Sequence, residues 1–107
     1  MTTTAKTDAE ILAHLNERYP GNDNYGKPKS LYFERILAMD EEQLHREAKQ
    51  KIWLSAYANN NPRSDYHWQV DAIYDLYNLR ANPNGYKQAY REVYIKTFGK
   101  DPYPDMG

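Results

Sequence analysis

Apolar residues recur at three- and four-residue intervals in five stretches of this chain. Polar or Pro/Gly breaks separate them. Ile11, Leu12, Leu15 and Tyr19 form the first stripe. Thr7 opens it with Glu10 three residues on, a capping box, and Pro20-Gly21 closes it. Ser30 is placed to cap a short second helix on Leu31, Tyr32, Ile36 and Leu37. Asp40 with Gln43 makes a second capping box, and the third helix is expected over about 41–58. Leu44, Ala48, Ile52, Ser55, Ala56 and Asn59 line one side of it, with Trp53 and Tyr57 beside them. Glu42–Arg46 and Glu47–Lys51 have the spacing of ion pairs on its wet side.

Asn59-Asn60-Asn61-Pro62 stops that helix, because the residue before proline is pushed out of helical geometry. Ser64 caps a fourth, expected over about 65–81. Asn82-Pro83 opens a fifth, which Gly99 ends. Gly85 weakens its first turn. The fourth helix is apolar on two sides, through Tyr66, Val70, Ile73 and Tyr77 and through Trp68, Ala72, Leu76 and Leu79. Such a helix belongs at the centre of a bundle. No window alternates as a strand does. The pattern predicts one all-α domain over residues 1–107, a compact bundle of about five helices. Residues 1–6 and 101–107 are expected to be flexible. Ile52, Val70, Ile73, Leu76 and Val93 are the expected core.

Composition narrows the chemistry. With 107 residues one core suffices, and with no cysteine there is neither a disulfide nor a thiol nucleophile. No apolar run is long enough to span a membrane, and the N-terminus lacks a signal-peptide core. A cytoplasmic protein without membrane attachment is expected. Net charge is −1, which argues against direct nucleic-acid binding as the main function. Eleven tyrosines against two phenylalanines favour amphipathic aromatic surfaces. No nucleotide-binding, nucleophile-elbow or zinc-hydrolase motif is present, so no enzyme activity, cofactor or metal is expected.

Three constellations remain. The fourth helix carries His67, Asp71, Asp75 and Asn78 on one strip. This strip is a solvated face with His67 pairing Asp71, or it meets Lys87 or Arg91 of the fifth helix, or it binds a partner or metal. A hydrolase or metalloenzyme around His67, Asp71 and Asp75 is an alternative, but Ser64 as a cap spends its oxygen on the backbone. His14 and His45 are expected to be exposed. The basic fifth helix, through Lys87, Arg91, Lys96 and Lys100 with interleaved tyrosines, gives a second alternative, a nucleic-acid or regulatory binder. The third constellation is the joint between helices three and four. An Asn-rich turn must lie at the surface, and it carries polar and aromatic groups together. Tyr57, Asn60, Arg63, Asp65, His67, Trp68, Asp71 and Asp75 are the expected partner-binding residues.

The stretch ANNNPRSDYHWQVDAIYD, residues 58–75, resembles segments of small uncharacterised phage and prophage proteins. The chain as a whole is similar in size and style to phage anti-defence proteins such as anti-CRISPRs. That resemblance implies inhibition by stoichiometric binding to a protein or ribonucleoprotein complex of a bacterial host. It transfers no functional residue.

Overall fold

A computed structural model describes residues 5–58 and 64–102. The described chain is an all-α domain: α1 (Asp8–Arg18), α2 (Ser30–Leu37), α3 (Glu41–Trp53), a π-helical turn (Leu54–Ala58), α4 (Asp65–Leu79) and α5 (Pro83–Phe98). Among the described residues there is no strand, only an isolated antiparallel bridge between Asn22 and Pro28.

The helix starts follow from local chemistry. Thr7 and Asp40 each accept a bond from the backbone N–H three residues on, and Glu10 and Gln43 reach back to the cap. Two otherwise unsatisfied donors are met at each start. Ser64 caps α4 by accepting from the Tyr66 N–H. At α2 the expectation shifts by one residue, since Lys29 is the cap and Ser30 is the first helical residue. Asn82 precedes Pro83 as expected but makes no side-chain cap bond. Gly99 ends α5 in the left-handed conformation that glycine adopts without steric cost.

Two boundaries differ from the sequence pattern. The third helix does not run unbroken to 58, because after Trp53 it widens into the π turn. The fourth ends at Leu79. Ala81 takes φ 58°, a left-handed geometry that costs a non-glycine residue about 1–2 kcal/mol. The break at Asn59–Pro62 lies outside the described residues.

α4 packs against all four other helices, with α1 and α2 paired on it and α3 and α5 paired on it. Ile11, Leu15, Phe33 and Ile36 come from the first pair. Ala48, Ile52, Ala89 and Val93 come from the second, and Ala72, Ile73 and Leu76 of α4 lie between them. Val70, expected in the core, is only half-buried. Residues 64–70 are half-buried throughout, and full burial on α4 begins at Ala72. Gly85 has a packing role. A Cβ there would fall 2.7 Å from Tyr77 Cδ1, on a ring that is itself buried.

Of the ends expected to be flexible, Lys6 donates its N–H to the Leu79 carbonyl at 2.8 Å, and Asp101 pairs with Arg91. Residues 1–4 and 103–107 lie outside the described residues.

Candidate functional site

At the α3–α4 joint the described side chains are committed to the fold. Asp65 accepts the Trp68 indole N–H at 2.8 Å and the Asn24 backbone N–H at 3.1 and 3.2 Å. Its carboxylate thus ties the loop before α2 to the start of α4. That loop is internally braced, since the Asp23 side chain accepts from the Tyr25 and Lys27 N–H groups. Tyr25 stands exposed at its tip. Trp68 meets Tyr32 and Phe33 edge-on at 5.6 and 5.8 Å, with the Lys29 ammonium 5.1 Å from its ring. Tyr57 packs edge-on against Phe98 at 5.4 Å. His67 is half-buried. Asn60 and Arg63 lie outside the described residues.

The strip on α4 is divided: the end of α1 covers Asp75, while Asp71 and Asn78 face solvent. Asp75 is buried, accepts the Tyr19 hydroxyl at 2.8 Å and sits 3.3 Å from Arg18 Nε. Asp75 therefore keeps little surface open to solvent. Asp71, one turn earlier, remains exposed. Partial burial and then the charge of Asp75 raise its carboxyl above the usual range, while Arg18 and His67 pull the other way. Ser64 Oγ accepts the Tyr66 backbone N–H at 3.2 Å, as a helix cap does. Among the described residues no three His, Asp or Glu side chains converge as metal ligands would.

The basic face of α5 is divided. Arg91 pairs with Asp101. Lys87, Lys96 and Lys100 are exposed. The tyrosines between them pack on one another and on neighbours: Tyr86 on Tyr74 and Tyr77 at 5.1 and 6.4 Å, Tyr90 on Tyr94 at 6.1 Å, and Tyr94 on Phe98 at 4.6 Å.

Two features go beyond the sequence expectations. Glu47 is not on a wet face. It is buried, accepts the Tyr32 hydroxyl at 2.6 Å, and has Lys51 at 3.4 Å and Arg35 at 3.6 Å. Glu42 and Arg46 form no ion pair among the described residues, and His45, expected to be exposed, instead lies 2.8 Å from Glu92 of α5. The second feature is a groove of about 810 Å³ between α3 and α5, lined by Lys49, Trp53, Glu92, Val93, Ile95 and Lys96. Trp53 is 48% exposed there, Ile95 is 39% exposed, and Phe98 is 51% exposed on the same helix. Burial pulls the Glu92 carboxyl upward. Contacts with His45, Gln88 and Lys49 outweigh that and hold it below the usual carboxylate range. The signal for this groove in the sequence is Trp53 beside the α3 core stripe, but the identity of the facing helix is tertiary information.

No family model, curated protein or solved structure matches this chain. The site therefore rests on its own geometry.

Proposed function

We propose that this protein acts by binding a protein partner through the α3–α5 groove, as a stoichiometric inhibitor of the phage type would bind a host complex. The observation that carries this reading is Trp53. Its indole is half-exposed in a groove whose other wall presents Ile95. Tryptophan is among the types most enriched at binding hot spots, and two packed helices present it at low ordering cost. The likeness of residues 58–75 to small phage proteins supports a host complex as the partner. The joint around Asp65 and Trp68 is a weaker candidate, because both groups already serve the fold.

The test compares Trp53→Ala with the native protein. Tagged native protein should retain a host assembly from bacterial lysate in near-equal amounts. The variant should melt within a few degrees of it and lose at least about tenfold in affinity, the size of a hot-spot truncation. Equal retention by both would remove the groove from consideration. A second reading rests on Lys96 and Lys100, exposed near the end of α5. It predicts oligonucleotide binding that weakens steeply with salt.

A further inference from the structure

We infer that the occupant of the α3–α5 groove is an amphipathic segment of a partner protein, with large apolar side chains flanked by carboxylates. This rests on the binding reading above and adds the chemistry of the partner.

The charges of the groove point one way. Its charged lining is Lys49, Lys96 and Glu92. Among the described residues Glu92 is the one acid lining it, and that carboxylate is already occupied: His45 lies 2.8 Å away, Gln88 donates at 3.3 Å and Lys49 at 3.4 Å. Lys96 has no carboxylate within ion-pair distance among the described residues, and neither does Arg46, one helical turn before Lys49 and Gln50 on α3. Lys100 follows Lys96 by one turn and is equally exposed. The rim is thus cationic with its own acid spent, while Trp53 and Ile95 supply the apolar part. A segment that buries apolar side chains against Trp53 would bring its flanking residues to Lys96, and carboxylates there would make charge-assisted contacts without displacing an internal pair.

The shape agrees with a peptide. A trough between two helices accepts side chains spaced at i, i+3 and i+4 from an amphipathic helix. Phosphate is the poorer fit. The Glu92 carboxylate forms part of the wall, and the chain as a whole carries a net charge of −1.

The experiment uses the intact protein, labelled with ¹⁵N. Its two indole N–H signals report separately on Trp53, at the groove, and on Trp68, bonded to Asp65. Trp53→Phe assigns them. The probes are synthetic amphipathic peptides with identical leucine and phenylalanine anchors and flanks of glutamate, glutamine or lysine. The expected result is movement of the Trp53 signal alone. The glutamate peptide should bind about tenfold or more tightly than the glutamine one, and the lysine peptide weakest. Lys96→Glu should reverse that order while melting within a few degrees of the native protein, since Lys96 makes no ion pair among the described residues and loses only its place in the last turn of α5. Equal binding of all the peptides at Trp53 overturns the charge inference and leaves the groove as a binding site. Failure of every peptide to move the Trp53 signal overturns both. Tighter binding of oligothymidylate at Trp53 than of the glutamate peptide replaces the protein partner with nucleic acid. A dimer in sedimentation that Trp53→Ala dissociates makes a second copy the occupant and likewise overturns the inference.

Discussion

Glu47 and Asp75 are withdrawn from solvent to the same degree, 7% and 8% exposed, and each accepts a hydrogen bond from a tyrosine hydroxyl. They differ in the cations around them. Asp75 has Arg18, whose side chain is 59% exposed. Glu47 has Arg35, similarly exposed at 62%, and also Lys51, which is only 12% exposed. Loss of Asp75 would release its cation to water. Loss of Glu47 would strand an ammonium group inside the protein. The cost of removing a buried charge is set by what it leaves behind.

The largest effect should therefore come from Glu47→Ala. Breaking a buried pair from one side costs about 3–5 kcal/mol, and chemical denaturation should show a loss of that order. Glu47→Ala with Lys51→Met should recover part of it. A double variant no more stable than the single one would show that Lys51 reaches solvent once freed, and the contrast with Asp75 would collapse.

Asp75→Ala should cost less, about 1–3 kcal/mol, mainly for the Tyr19 hydroxyl left without its acceptor. Asp75→Ala with Tyr19→Phe should be close to the more stable of the two single variants. A loss equal to that of Glu47→Ala would mean that Arg18 is held in place by more than Asp75.

The tyrosines bonded to the two carboxylates also differ at high pH. Burial foremost, then the hydrogen bond to Glu47 and its charge, push the Tyr32 hydroxyl far above its ordinary range, with Arg35 opposing. Tyr19 moves in the same direction, by burial first and then through Asp75. In the unfolded chain both ionise near pH 10, while the native protein keeps them protonated. The unfolded state then binds fewer protons, so this stabilisation is complete below about pH 10 and is lost as pH rises beyond it. For Tyr32 the limiting slope is about 1.4 kcal/mol per pH unit. Denaturation midpoints between pH 9 and 11 should fall less steeply in Tyr32→Phe than in the native protein, and Tyr19→Phe should flatten the fall less, because Tyr19 is more exposed. Equal slopes in all three proteins would place the Tyr32 hydroxyl in contact with water.

Local signals in the sequence went far. The capping boxes at Thr7 and Asp40, the Ser64 cap and the Gly99 stop each depend on residues within four positions, and all of them form. Two helical ends were not legible. The widening after Trp53 has no composition cue. Ala81 takes the left-handed site where a glycine would have marked the end of α4. The polar interior was illegible for a different reason. Glu47, with Lys51 four residues on, reads as a surface pair until Tyr32, 15 residues earlier, is folded over it. His45 meets Glu92 across 47 residues, and Tyr19 meets Asp75 across 56. A single sequence shows neither pairing. The candidate groove was not legible, because Trp53 reads as a neighbour of the α3 core stripe and its opposite wall on α5 is set only by folding.

The smallest effect belongs to Asp71, and its sign is the most informative. Its carboxyl is raised by partial burial and by Asp75, one turn along the same helix, against the pull of Arg18 and His67. A carboxyl raised in the native state is favoured there in its protonated form. Its contribution is complete below the ordinary value near 4 and is lost as pH rises through the raised one. At neutral pH the ionised Asp71 is thus a mild cost beside the buried Asp75. Asp71→Asn should raise stability at pH 7 by no more than about 0.5 kcal/mol, the scale of an exposed charge. Near pH 3 it should leave stability unchanged. Melting curves at the two pH values decide the matter. A loss at pH 7 would mean that Asp71 shares Arg18 with Asp75 as a useful acceptor. Asp75 would then belong, like Glu47, to a network of several charges, and the difference drawn between the two buried carboxylates would have to be given up.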